Sequence, residues 1–105
     1  MTFSVAGKLL DACVLGVVMN TETYGYDLTQ KIGELVDVSE SALYPVLRRL
    51  QKEGLLETYS KEYDGRIRKY YKITENGKKQ QDIYCEEWKK YQSRVTSLIK
   101  GGEHD

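Results

Sequence analysis

The chain has 105 residues, 40% of them hydrophobic and 30% charged, with 16 Lys/Arg set against 16 Asp/Glu. That length suits a single domain with a modest core. No apolar run approaches the roughly 20 residues that span a bilayer, and Met1 to Lys8 lacks the charged-then-apolar plan of a signal peptide, so the expected compartment is the cytoplasm.

Ser4 to Met19 reads as a first helix. Leu9, Leu10, Cys13, Val14, Leu15, Val17, Val18 and Met19 leave it almost no polar face apart from Lys8 and Asp11, and a helix apolar nearly all round is buried on several sides. A chain this short struggles to provide that cover, which points to a second copy. Asn20 to Thr23 is polar and turn-like. Tyr24-Gly25-Tyr26 opens a second helix with Leu28, Ile32, Leu35 and Val36 at helical spacing. Asp37 and Ser39 are both fitted to cap a third helix, since either side chain accepts from an orphan amide. Two helices joined by so short a turn form a helix-turn-helix pair.

In the third helix Leu43, Val46, Leu47 and Leu50 point inward, while Ser41, Tyr44, Pro45, Arg48 and Lys52 share the opposite face. Pro45 loses a backbone bond past the first turn, so the helix is expected to start near Ser41 or to bend. Gly54 suits a left-handed stop. Leu55 to Ser60 and Ile67 to Ile73 read as strands, and Asp64-Gly65 between them is a hairpin turn because Gly accepts positive φ. In the second strand Ile67, Lys69, Tyr71 and Ile73 share one face and Arg66, Arg68, Tyr70 and Lys72 the other. Thr74 caps a last helix from Glu75 to about Leu98, where Tyr84, Trp88, Tyr91, Val95 and Leu98 form a heptad seam. At 1.5 Å per residue this helix spans roughly 36 Å, too long to pack wholly on its own domain. The expected organisation is therefore a winged helix-turn-helix unit over 1–74, a dimerisation helix over 75–100 and a disordered tail over 101–105. The fold class is mainly α with a small β-hairpin, and the dimer interface is expected at Leu9, Tyr84, Trp88, Tyr91, Val95 and Leu98.

The balanced net charge hides an uneven distribution. Tyr44 to Lys72 carries eight basic against four acidic side chains, so this segment is +4 and the remainder −4. A basic face on an acidic molecule is an electrostatic footprint for nucleic acid. Arg48 offers a fork of donors matched to guanine edges and phosphates, and Arg49, nearer the side, suits a phosphate. The bland alternative is surface pairing with Glu53 or Glu57. Ser41 and Tyr44 lie at the end of the helix that first meets bases or backbone, and Tyr24 at the opening of the second helix is grouped with them. Lys61, Arg66, Arg68 and Lys69 form the wing, with contacts mainly to phosphate; alternatively they keep an edge hairpin soluble. Trp88, the single tryptophan, is either a dimer-core residue or a stacking plate for a planar ligand. Cys13 and Cys85 read as small buried hydrophobes, with a redox sensor as the alternative.

Enzyme signatures are missing. The single histidine, His104, lies in the tail, so neither the usual proton shuttle nor a His/Cys metal constellation is available, and no phosphate-cradling glycine loop is present. The expectation is a non-enzyme with no cofactor and no metal.

Three segments together, YGYDL (Tyr24 to Leu28), SALYPVLRRLQKEGLL (Ser41 to Leu56) and GRIRKYYKITENG (Gly65 to Gly77), resemble the PadR family of bacterial transcriptional regulators. The resemblance covers about residues 8 to 95; Ile67 stands where the family usually has proline in the wing. It implies a homodimeric repressor on a palindromic double-stranded operator, with the last helix paired against the partner's first and last helices. A single helix after the wing is similar to the small subfamily, some members of which sense planar, cationic, drug-like compounds between paired tryptophans. Trp88, eleven residues after Gly77, falls at the matching place, and the same resemblance implies that Leu10 and Ala6 line that cavity. The competing reading keeps the winged fold but turns it to a protein partner, as an adaptor, or leaves a regulator with no small-molecule ligand.

Overall fold

The structure, a computed structural model, describes residues 5–102, with side chains from Lys8 onward. Its elements run α1 (Val5–Met19), β1 (Thr23–Tyr24), α2 (Gly25–Val36), α3 (Glu40–Lys52), β2 (Leu56–Tyr63), β3 (Arg66–Ile73) and α4 (Glu75–Ile99). This is a mainly helical fold with a small antiparallel sheet and a long C-terminal helix. The three strands are ordered β1-β3-β2. The two-residue strand β1, which pairs Thr23 with Tyr71 and Tyr24 with Tyr70, falls partly in the stretch expected to be a turn. Two residues are too few for a period-2 pattern to register.

The turn between α2 and α3 shares its work between two side chains. Asp37 ends α2 in the left-handed region at φ 55°, and Ser39 caps α3 by accepting from the Ala42 amide. Of the two candidate caps, Ser39 takes the role. Helix α3 continues through Pro45; the missing N–H leaves the Ser41 carbonyl without its helical donor. Leu43, Leu47 and Leu50 are fully buried and Val46 nearly so, which fixes the outward face by elimination. Gly54 follows the helix at φ 79°.

Strands β2 and β3 pair in register from Leu56↔Ile73 to Tyr63↔Arg66. The tight turn between them holds Asp64 at φ 52° and Gly65 at φ 78°, the pair of positive values that a type I′ hairpin needs. Thr74 locks the sheet to α4: its hydroxyl donates to the Gly54 carbonyl at 2.7 Å and accepts from the Gly77 amide at 2.9 Å.

The core is built from α1 (Val14, Leu15, Val18), α2 (Leu28, Ile32), the inner face of α3, and Leu56, Tyr71 and Ile73 of the sheet, and it is closed by Tyr84 of α4. Trp88 and Tyr91 still pack against this core, and beyond them the long helix runs past it. Tyr91 and Val95 are half-buried, whereas Leu98 and Ile99 are exposed. Leu35 and Val36 share the spacing of Leu28 and Ile32, yet Leu35 is 76% exposed, because the last turn of α2 overhangs a groove along α1. No described helix is long and apolar enough to cross a membrane.

Candidate nucleic-acid interface

The exposed side of α3 presents Ser41, Tyr44, Pro45, Arg48 and Lys52. Its geometry follows from the four inward residues: once they are fixed, side chains three and four positions apart must line the outer face. Tyr71 links this helix to the hairpin. Burial pushes its phenol above the ordinary tyrosine value, the nearby Tyr44 adds to the rise, and Arg48 offsets it. The Lys69 ammonium lies 5.6 Å from the Tyr71 ring centre on the same strand face. Tyr44, Arg48, Tyr71 and Lys69 therefore form one continuous neighbourhood across helix and wing.

The other basic residues of the wing lie on the reverse face of the sheet. Tyr59 and Tyr70 stack at 5.4 Å with planes 11° apart, and Tyr24 sits 6.0 Å from Tyr70. The Arg68 guanidinium is sandwiched between Tyr24 at 4.5 Å and Tyr63 at 4.2 Å, and Lys61 approaches Tyr70 at 5.8 Å. Arg68 is half-buried and its Nε has no hydrogen-bond partner among the described residues. Arg66 stays exposed beside the turn, next to Ile67, which is 77% exposed. The nine predicted DNA-contact residues are thus divided. Tyr44, Arg48 and Lys69 meet around Tyr71, with Ser41 on the same outer face of α3; Tyr24, Lys61, Arg66 and Arg68 belong to the aromatic reverse face and the wing tip; Arg49 stands apart from both.

Arg49 departs from the phosphate expectation. Its two terminal nitrogens reach both oxygens of Asp11 on α1, Nη1–Oδ2 at 2.9 Å and Nη2–Oδ1 at 2.5 Å, with Glu53 at 3.7 Å. The hydrogen bond to Asp11 holds the Arg49 guanidinium pKa above its ordinary value. Asp11 is 3% exposed. In sequence Asp11 is only a polar break in an apolar helix; a lone acid among buried aliphatics is nonetheless the signal that a cation must reach it.

Tyr84 also differs from its expected place on the seam. It is 5% exposed within its own chain, and its hydroxyl donates to Asp11 Oδ2 at 3.4 Å. Trp88, one turn further on, is half-buried and 6.1 Å from the Tyr91 ring. Between α1 and α4 lies a cavity of about 410 Å³ lined by Leu9, Ala12, Cys13, Val36, Gln81, Tyr84, Cys85 and Trp88. Leu9 lines it and Leu10 does not; Leu10 packs against the core instead. The side chain of Ala6, like the whole of His104, lies outside the described residues. Among the described residues the lining includes no carboxylate, so an affinity for cations there rests on the ring faces. Cys13 is half-buried, and that burial pushes its thiol up; Cys85 is exposed, so the expectation of a small buried hydrophobe does not hold there. No cluster of metal-ligating side chains occurs among the described residues.

A helix-turn-helix pair, a basic hairpin and a three-stranded sheet on a helical core define a winged-helix protein. The model of the transcriptional regulator PadR-like family matches residues 14–82, and the chain belongs to that family. It is similar to a solved Streptococcus mutans protein at 37% identity, with a TM-score of 0.86 and coverage of 100% of both chains. It is also similar to a PadR-like transcriptional regulator from Bacillus cereus at 35% identity, TM-score 0.82, over 94% of this chain and 98% of that one. Bacillus subtilis PadR, solved in complex with operator DNA, is similar at 26% identity and a TM-score of 0.67, over 73% of this chain and 46% of its own length.

Proposed function

We propose that the chain is a homodimeric, sequence-specific DNA-binding repressor. The outer face of α3 enters the major groove of a palindromic operator and the wing straddles the adjacent backbone. The observation that carries this reading is the exposed set Ser41, Tyr44 and Arg48 on a helix pinned by buried leucines, with Lys69 beside it. The operator complex of the Bacillus subtilis relative supports it. Arg48 reads a base edge; Tyr24, Lys61, Arg66, Arg68 and Lys69 meet phosphate or hold the wing that does. Arg49, engaged by Asp11, is assigned to the fold rather than to DNA. The dimer forms along α1 and the distal half of α4, through Leu9, Trp88, Tyr91, Val95 and Leu98; the exposed Leu35, Leu98 and Ile99 favour a second copy as cover. The test is the pair Arg48→Ala and Arg66→Ala. The first weakens binding to a preferred duplex by about 1–3 kcal/mol and relaxes its sequence preference, and the second weakens all duplexes about equally. Equal effects of both on every duplex contradict the assignment.

A second reading adds an effector. The apolar cavity beside Trp88 suits a planar aromatic molecule. Saturable quenching of Trp88 fluorescence by such a compound, together with a change in DNA affinity, supports a sensor; an unchanged spectrum across a panel of planar cations and phenolic acids leaves Trp88 as packing. The adaptor alternative predicts DNA binding that is weak and nearly independent of salt, whereas the DNA reading predicts a steep dependence.

A further inference from the structure

The Asp11–Arg49–Tyr84 cluster joins three helices at one point. Asp11 belongs to α1, Arg49 to α3 and Tyr84 to α4. Both carboxylate oxygens of a nearly buried Asp11 are engaged by the Arg49 fork, at 2.9 and 2.5 Å, and the Tyr84 hydroxyl donates to one of them. An ion pair with one partner buried gains little net stability, because desolvation of the buried charge consumes much of the attraction; what it supplies is geometry. A bidentate fork fixes both separation and rotation. Arg49 is the immediate neighbour of Arg48, so on a helix of 3.6 residues per turn their side chains are about 100° apart. Holding Arg49 against α1 therefore sets the direction in which Arg48 leaves α3.

Tyr84 faces two ways. It lines the polar recess with Lys8, Asp11, Arg49 and Glu53, and it lines the apolar cavity with Trp88 and Cys85. We propose that Asp11 and Tyr84 are positioning residues for DNA reading: they hold the recognition helix at one rotation through Arg49, and Tyr84 connects that helix to the Trp88 cavity. This rests on the DNA-binding reading above and requires no particular effector. A change at α3 reaches Trp88 through Arg49, Asp11 and Tyr84, and a change in the cavity reaches Arg48 by the same contacts in reverse.

The experiment uses the full chain, a duplex that the wild-type protein selects from a random library, and an unselected duplex of equal length. Three readouts are taken: the ratio of affinities for the two duplexes, the thermal midpoint, and Trp88 fluorescence on adding the selected duplex. Asp11→Asn keeps the shape and removes the charge; Tyr84→Phe keeps the ring and removes the hydroxyl. The expected result is a ratio reduced about ten-fold by Asp11→Asn and about three-fold by Tyr84→Phe, with affinity for unselected DNA retained. Wild-type Trp88 emission changes on binding the selected duplex, and Tyr84→Phe abolishes that change. Three outcomes overturn the proposal. Asp11→Asn tightens both duplexes, making Arg49 a masked phosphate contact; or both affinities fall together in step with the thermal midpoint, making the cluster a brace only; or Tyr84→Phe keeps the wild-type ratio and the wild-type fluorescence response. If Asp11→Asn does not fold, Tyr84→Phe decides alone. A wild-type protein that selects no duplex refutes the DNA-binding reading itself and takes this proposal with it.

Discussion

Arg48 and Arg49 are adjacent, chemically identical and differently employed. Arg48 stands on the open face of α3, whereas Arg49 is drawn back to Asp11 on α1. The two substitutions should therefore separate. Arg48→Ala leaves stability within about 0.5 kcal/mol, since a surface change away from packing costs little. Arg49→Met strands a buried carboxylate and destabilises by about 2–3 kcal/mol, less than for a fully buried pair because the Arg49 side chain is 44% exposed. Chemical denaturation of the two variants checks this directly. Tyr84 adds a pH signature. Burial first, then the charge and the hydrogen bond of Asp11, push its phenol from 10.0 to about 12. The unfolded chain ionises this group near its ordinary value and the folded chain resists, so its contribution is intact below pH 10 and is lost as pH rises through about 12. The thermal midpoint should fall across that window, and Tyr84→Phe should make the fall shallower. Burial shifts Tyr71 in the same direction, so the fall is not removed entirely. None of this pairing was legible in sequence: Asp11 and Arg49 are 38 positions apart, and periodicity reports local faces only. The lone acid in α1 was the available clue.

Among the elements, those with strong local chemistry were legible. The inner face of α3, the Asp64-Gly65 turn and the Thr74 cap each follow from a repeating apolar spacing or from one residue's backbone preference, and each stands where the sequence put it. Strand β1 was not legible, because its identity comes from pairing with β3 and not from its own two residues. Nor was the exposure of Leu35: the helical period gives a direction, and what stands in that direction is a matter of tertiary packing. Pro45 altered α3 less than its local cost suggested, as its neighbours on the inner face hold the helix together. Gly77 shows how tightly α4 is seated on the sheet. A Cβ there would stand 2.2 Å from the Leu55 carbonyl oxygen and 2.7 Å from Ile73 Cγ1, so the backbone itself must move to admit it. Gly77→Ala should destabilise by about 2–3 kcal/mol despite its better helix propensity, seen as a lowered thermal midpoint, whereas Gly54→Asn, at a left-handed stop with open space around it, should cost well under about 1 kcal/mol.

For the whole molecule, the governing feature is an exposed apolar surface. Helix α4 carries its apolar seam past the end of the core, so that Leu98 and Ile99 are 67% and 79% exposed, and Leu35 stands open beside α1. The chain extends 58 Å along its long axis and only 27 Å and 21 Å across. Two copies joined along this surface would carry two α3 helices, as a palindromic site requires. Val95→Asp should then yield monomers in sedimentation and reduce DNA affinity far more than any single phosphate contact does, because each half-site is left to bind alone. The apolar character of α1 and the seam of α4 were legible in the sequence; the burial of Tyr84 within its own chain, which depends on Asp11 and Arg49 far away in sequence, was not.

The most direct test of the account is a salt series of binding isotherms for the full chain on a library-selected duplex and on a scrambled one. A homodimeric, sequence-specific repressor binds as two protomers per selected duplex, prefers it by about 10³-fold or more, and loses affinity with log salt by about 0.9 for each neutralised phosphate. Equal affinity for the two duplexes, or binding indifferent to salt, would contradict this reading.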